Sequence, residues 1–177
     1  KPDSAAAVAA LRALGVESVM LTGDNESTAA EICAEAGIRD FRANVLPQDK
    51  AAAVEAFRSE QKKTAMVGDG INDAPALAAA DVGIAIGTGT DVAIESADVV
   101  LMGGELTGLP TAVRLSRAVI RNIRQNLFWA FFYNCCGIPF AAGLIYAFGG
   151  PLLHPMFAGA CMALSSITVV SNALRLK

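Results

Sequence analysis

"AMVGDGINDAPAL", residues 65–77, decides how this chain is read. A short apolar run around "TAMV" is a strand. It ends in a turn carrying Asp69, Asn72 and Asp73 between Gly68 and Gly70, and a short helix begins within "NDAPALAAAD". Working outward, "VGIAI" and "DVVLM" read as further strands, and "ESVML" as an earlier one. Helical patterns lie between them. "SAAAVAALRALG" has Ser4 as a candidate N-cap and Gly15 as its stop; "NESTAAEICAEAG" is capped near Asn25 and ends at Gly37; "PQDKAAAVEAFRSE" starts at Pro47. Strands separated by helices predict an α/β fold, a parallel sheet covered by helices on both faces.

In open parallel sheets, chemistry gathers at the carboxyl ends of the strands. Two strands here end in acidic, glycine-rich turns: "VMLTGDN", with Thr22, Gly23 and Asp24, and the Asp69–Asp73 turn. Glycine lets the backbone turn tightly beside a ligand. Clustered carboxylates repel unless a cation lies between them, and hard oxygen ligands suit magnesium held together with a phosphate. A hydroxyl and an amine would then serve the phosphate oxygens, which makes Thr22 and Lys50 the candidates. Taken singly, a TGD tripeptide is an ordinary turn and Lys50 an ordinary solvated side chain. "GTGTD", residues 87–91, lacks the GK[ST] of a phosphate loop and reads as a structural turn.

Charge divides the chain. All 17 Asp and Glu fall at or before Glu105; beyond it come only Arg114, Arg117, Arg121, Arg124, Arg175 and Lys177. With 54% hydrophobic residues and a mean hydropathy of +0.46, the chain is too apolar for an ordinary soluble domain. No formally charged residue lies between Arg124 and Arg175, apart from a protonated His154. That interval accommodates two spans of roughly 20 residues with a turn at "GGPLLHP", residues 149–155. Flanking Arg and Lys put both hairpin ends on the cytoplasmic side. The domains expected are an α/β part over 1–105, a basic stalk helix over 106–126 running into the bilayer, and a transmembrane hairpin over 127–177. A hairpin buried in a soluble core is the alternative. The chain starts at Lys1 without Met or signal peptide and is read as the C-terminal part of something longer. Cys33, Cys135, Cys136 and Cys161 have no CxxC spacing, which argues against a structural zinc site or a disulfide scaffold. Cys33 reads as inert core.

In order along the chain, "MLTGDN", "LPQDKA" and the block from Met66 to Met102 strongly resemble the phosphorylation domain of P-type ATPases, within the haloacid-dehalogenase-like superfamily. The resemblance covers essentially the whole chain. It implies a partial haloacid-dehalogenase-like sheet followed by the membrane hairpin, and a pump cycle in which an aspartate takes the γ-phosphate of ATP. By the same resemblance Asp69 binds Mg2+, with Asn72 and Asp73 completing the pocket and Gly68 and Gly70 shaping it. Thr22, Gly23 and Lys50 attend the phosphoryl group; Asp24 lies near the nucleotide or the catalytic water. The family's phosphorylated DKTG aspartate is absent from these residues, so this chain by itself is expected neither to autophosphorylate nor to pump. The remainder of the same ATPase, which binds most of the ATP, is the implied partner, together with the lipid bilayer. A copper chaperone is a further partner, and nucleic acid is not expected.

The apolar region carries "YNCCGIP", residues 133–139, and "CMALSSITVVSN", residues 161–172. Polar groups inside a span are costly and mark pathways or helix contacts. Without a carboxylate or lysine there, the thioether, thiol, phenol and amide groups suit a soft monovalent ion, Cu(I) or Ag(I). These stretches look like the last two helices of copper-transporting heavy-metal ATPases. That likeness maps the transport site onto Tyr133, Asn134, Met162 and Ser166. Cys135, Cys136, Cys161 and Ser165 are secondary candidates, and His154 is an interfacial residue rather than a ligand. Pro139 breaks or kinks its helix. The expected setting is the bacterial plasma membrane. A zinc or cadmium pump, a membrane-anchored phosphohydrolase of the same superfamily and a non-catalytic scaffold are the competing readings.

Overall fold

A computed structural model describes residues 2–58, 63–87, 90–150 and 155–175. It divides into two compact units, residues 1–112 and 113–177, with the boundary inside one long helix.

In the first unit, α1 (Ser4–Ala13), β1 (Val19–Leu21), α2 (Glu26–Ala36) and β2 (Asp40–Arg42) lead to a 3-10 turn, Pro47–Asp49, and α3 (Lys50–Arg58). Then follow β3 (Ala65–Gly68), a 3-10 turn at Ile71–Asp73, α4 (Ala74–Ala79), β4 (Val82–Ile86), α5 (Asp91–Glu95) and β5 (Val99–Leu101). All the pairings are parallel: β1 with β2, and β3-β4-β5 as a second sheet. The expected sheet is therefore in two pieces among the described residues. The β2 strand was not anticipated, because Asp40–Arg42 has a single apolar residue between two charged ones and is too short for a period to be read.

Local chemistry explains the ends of these elements. Asn25 accepts a hydrogen bond from the Thr28 N–H at 2.9 Å, and Gly37 closes α2 in the left-handed region at φ 72°. The cap expected at Ser4 falls one residue earlier, on Asp3. The Asp3 side chain is used elsewhere: its carboxylate accepts from the Leu106 and Thr107 N–H groups at 2.6 and 3.2 Å, just ahead of the long helix. Small residues build much of the core. Ala29, Ala76, Ala85 and Ala93 are fully covered, with Val54 and Leu77 the largest fully buried side chains. Ile84, Leu101 and Leu109 form a cluster beneath Leu11 and Val67. Gly83 permits α4 to lie on β4, since a Cβ there would meet the Leu77 carbonyl oxygen at 2.8 Å.

Asp81 ties the edge of the second sheet together. Its Oδ2 accepts from the Thr64 N–H at 3.0 Å, and its Oδ1 meets Lys63 at 3.0 Å and Arg58 at 3.5 Å. The Thr64 N–H, then the Lys63 ammonium, hold the Asp81 carboxyl below the ordinary carboxylate range. Cys33 is buried, and burial pushes its thiol up. Its place in the core, with its Sγ 3.9 Å from the Met20 sulfur, agrees with the expectation of a core residue.

The second unit is helical. The long helix α6 (Gly108–Ala141) has 34 residues, about 51 Å at 1.5 Å per residue, and is followed by α7 (Leu144–Ala147) and α8 (Pro155–Leu174). Pro139 does not end α6, which continues to Ala141; the break comes at Gly143, φ 95°. Residues 151–154, with His154 and most of the expected turn, lie outside the described residues, as do Thr88 and Gly89 of the "GTGTD" turn. The expected pair of spans is not confirmed: among the described residues no helix is long and apolar enough to cross a membrane. In α6 the physical reason is plain. Four arginines occupy its first half, and Gln125, Asn126, Tyr133 and Asn134 dilute the rest.

Candidate phosphate pocket and ion-path residues

The carboxyl end of β3 is built around one ion pair. Lys50, at the start of α3, places its Nζ 2.7 Å from Asp73 Oδ1, with both side chains largely covered. The 3-10 turn Pro47–Asp49 ahead of Lys50 packs on the 3-10 turn that ends at Asp73, which brings the two residues together. The Asp73 Oδ2 accepts from the Gly70 N–H at 3.3 Å. Gly68 makes this possible: a Cβ at that position would lie 2.6 Å from the Asp73 Cβ. The two glycines thus accommodate an aspartate folded back over its own turn.

Asp69 differs from Asp73. Its carbonyl oxygen accepts from the Thr90 N–H at 3.1 Å, while among the described residues its carboxylate has no hydrogen-bond or ion-pair partner. Asn72 likewise has no side-chain partner among them. Thr90 was not singled out as part of the site; it caps α5 through its Oγ1, at 3.4 Å from the Ala93 N–H, and anchors the Asp69 turn through its backbone. The signal available was Thr-Asp at a helix start.

The β1 turn closes on itself. Thr22 Oγ1 donates to Asp24 Oδ2 at 2.8 Å and accepts from the Asp24 N–H at 3.1 Å. The Asp24 carbonyl takes the Asn44 N–H at 2.8 Å, with Asn44 at φ 55°, and the Thr22 carbonyl takes the Val45 N–H at 3.0 Å. Gly23 faces the Val45 carbonyl. Asn44 too was not anticipated, although Asn is the non-glycine residue best suited to that conformation. The candidate residues brought together by hydrogen bonds are thus Lys50 with Asp73 and Thr22 with Asp24.

Magnesium fits this donor set in one way only. Among the described residues no group of three or more His, Cys, Asp or Glu converges as an all-protein cage. One unengaged carboxylate beside a glycine turn, with a second already neutralised by Lys50, suits an ion that retains water and shares a phosphate.

In the second unit no hydrogen bond among the described residues joins the candidate ion residues of α6 to those of α8. Asn134 donates to the Ala130 carbonyl of its own helix at 2.8 Å, and Ser166 to the Met162 carbonyl at 3.2 Å. Met162 is 75% exposed, and Asn134, Ser166, Cys135 and Cys136 are exposed as well. Tyr133 and Ser165 are half-buried, and Tyr133 packs against Trp129 at 6.0 Å between ring centres. The side chain of Cys161 lies outside the described residues. What does join α6 to α8 is a set of amides that sequence reading largely passed over, Asn122, Asn126 and Asn172.

Parallel strands ending in an Asp-Gly turn braced by a helix-borne lysine are similar to the haloacid-dehalogenase-like arrangement, and the profile described as haloacid dehalogenase-like hydrolase matches residues 1–81. The chain is, more particularly, a homologue of copper-transporting P-type ATPases over its whole length. A probable copper-transporting ATPase of Synechocystis is 60% identical across all of this chain, which covers 24% of that protein. A copper-exporting P-type ATPase of Vibrio cholerae is 56% identical, again across the whole chain and 19% of its own length. Among solved structures, a zinc-transporting PIB-type ATPase in its E2.Pi state superposes with a TM-score of 0.88 at 41% identity, covering 99% of this chain and 28% of that one. The chain therefore spans about a quarter of the length of these relatives.

Proposed function

We propose that this chain supplies the magnesium and phosphate pocket, and part of the membrane ion path, of an ATP-driven Cu(I) or Ag(I) export pump. The observation that carries the reading is the division of labour between two neighbouring aspartates: Asp73 is bound by Lys50, and the Asp69 carboxylate is unengaged among the described residues. An ATPase that passes a phosphoryl group through an aspartate needs fixed positive charge and a metal ligand side by side.

Asp69 would hold Mg2+, with Asn72 completing its surroundings; the ion, when bound, neutralises charge on the phosphoryl oxygens. Lys50 stands between the Asp73 carboxylate and the phosphate, which orients its ammonium. The Thr22 hydroxyl, whose single proton is held by Asp24 Oδ2 at 2.8 Å, would turn that proton to a phosphoryl oxygen when phosphate binds. Gly68 and Gly70 keep the approach free of side chains. The acceptor aspartate and most of the ATP contacts belong to residues outside this chain.

For the ion, the absence of any charged residue between Arg124 and Arg175 favours a soft monovalent substrate over zinc, held by Tyr133, Asn134, Met162 and Ser166 with Cys135, Cys136, Cys161 and Ser165 as reserve donors. The likeness to copper-transporting relatives supports this reading; the likeness to a zinc transporter keeps zinc as the competing one. The two helices would be the membrane hairpin, in a bacterial plasma membrane with both ends cytoplasmic, and a copper chaperone would deliver the ion. The complete ATPase in lipid decides the matter. Its ATPase rate is expected to rise with Cu(I) or Ag(I) and to lose that rise in Met162→Ala. Equal stimulation by Zn(II), or an unchanged response in the variant, overturns the assignment.

A further inference from the structure

Asn122 is 7% exposed, the buried polar side chain among the described residues. It lies in a closed ring of amides across two helices. Its Nδ2 donates to the Asn172 carbonyl at 2.7 Å, the Asn172 Nδ2 donates to Asn126 Oδ1 at 2.8 Å, and the Asn126 Nδ2 returns to Asn122 Oδ1 at 2.9 Å. Gln125 Oε1 adds a longer contact to Asn172 at 3.4 Å. On α6 the positions are i, i+3 and i+4, one face of the helix. Two of these bonds, Asn122 to the Asn172 backbone carbonyl and Asn172 to Asn126, cross between the helices, so sliding one helix by a residue would break both together, while the Asn126–Asn122 bond within α6 holds the two α6 amides in place.

The ring bears on the ion residues through helix geometry. Tyr133 lies seven residues beyond Asn126 on α6, and Ser165 seven residues before Asn172 on α8, so each is ~10.5 Å along its helix from the ring. Seven residues is close to two whole turns, which keeps Tyr133 on the face of Asn126 and Ser165 on the face of Asn172. Burial agrees: Ala130, Tyr133 and Gly137 are half-covered along α6, as are Ser165, Thr168 and Val169 along α8, whereas Met162 and Ser166 are exposed.

We propose that Asn122, Asn126 and Asn172 are a register lock: positioning residues that fix the height of α8 against α6, and so the level at which Tyr133 meets the Met162–Ser166 turn. A buried polar group that specifies register at some cost in stability is an attested device, and amide bonds between helices persist where apolar contacts would let them slide. The inference rests on the reading of α6 and α8 as lining the ion path.

Two measurements on the complete ATPase in lipid test it. The first needs no metal. With Cys135 and Cys136 replaced by Ala, Tyr133→Cys is combined in turn with native Cys161, or with Ser165→Cys or Thr168→Cys in a Cys161→Ala background, and oxidative cross-linking is scored. The yield is expected to peak with position 165 and, on adding Asn126→Ala or Asn172→Ala, to spread to 161 and 168. An unchanged pattern in both variants overturns the lock. The second is the metal dependence of ATPase rate. Either Asn→Ala change is expected to raise the half-activating metal concentration about tenfold, with the maximal rate within about twofold, and the double variant to be no worse than one. Multiplying effects, or a loss of maximal rate alone, reject a shared positioning role. If Zn(II) rather than Cu(I) stimulates the unaltered enzyme, the copper reading fails while the lock is judged with zinc, and the cross-linking pattern stands apart from either.

Discussion

The two units treat their polar groups in opposite ways. In the first, charged side chains are engaged by their own unit: Thr22 with Asp24 and Lys50 with Asp73 among the candidates, and Asp81 between Thr64 and Lys63 at the sheet edge. In the second, the ion candidates bond only within their own helices, and large side chains such as Phe128, Phe131, Phe148 and Met162 are more than half exposed. The first unit thus carries its site preassembled apart from the phosphate. The second, on the proposed reading, carries ion-path candidates that no contact among the described residues joins into one site. Apolar surface of this extent marks a face that something covers.

The sharpest way to break the contrast is at Asp69. Its carboxylate supports no contact among the described residues, so Asp69→Ala is expected to leave the thermal midpoint of the complete ATPase within about 2 °C while lowering Mg2+-dependent turnover by about a thousandfold. A comparable loss of stability would show Asp69 to be structural. Next comes Gly68→Ala. With its new methyl 2.6 Å from the Asp73 Cβ, the aspartate must swing off Lys50, at about 1–3 kcal/mol of stability and a turnover loss of one to two orders of magnitude. Full activity in that variant would mean the folded-back Asp73 is dispensable.

How much of this was legible follows the same division. The "GDGIND" turn, the Asn25 cap and the Gly37 stop were readable because each depends on a few adjacent residues with strong local preferences. Lys50 is a phosphate candidate on its amine chemistry, reinforced by the family resemblance, and the structure adds its partner, Asp73, which no spacing could supply. Thr90 and Asn44 hold the site's turns through backbone N–H groups, which every residue but proline has, so the Thr-Asp cap signal and the Asn preference for positive φ marked local turns without pointing to the site. The split of the sheet and the β2 strand depend on pairing between distant segments. In the second unit the resemblance pointed at Tyr133 and Met162, and only coordinates reveal that the bonds joining the helices are made by Asn122, Asn126 and Asn172.

A smaller effect is expected at Asp81. Its carboxyl is held below the ordinary aspartate value of about 3.9 by the Thr64 N–H and Lys63. A lowered native pKa means the contribution is present above that ordinary value and fades as pH falls through the depressed one. Asp81→Asn should therefore lower the melting temperature modestly at neutral pH and flatten its dependence on pH below about 4. An acid limb as steep as before would assign it to other carboxylates.

The smallest expected effect concerns the most conspicuous residues. Cys135 and Cys136 are adjacent and exposed, and neighbouring helix positions point about 100° apart, so the pair is poorly placed to grip one ion. Asn134 spends one Nδ2 proton on the Ala130 carbonyl at 2.8 Å, and its Oδ1 makes no hydrogen bond among the described residues. Replacing both thiols with Ser should shift the half-activating Cu(I) concentration by less than about threefold, whereas Asn134→Ala should shift it by about tenfold or more, a difference of ~1.4 kcal/mol per decade. The reverse ranking would move the ion onto the thiols and away from the amide. The second unit would then owe its chemistry to the soft sulfur ligands of α6 rather than to a site completed by neighbouring helices.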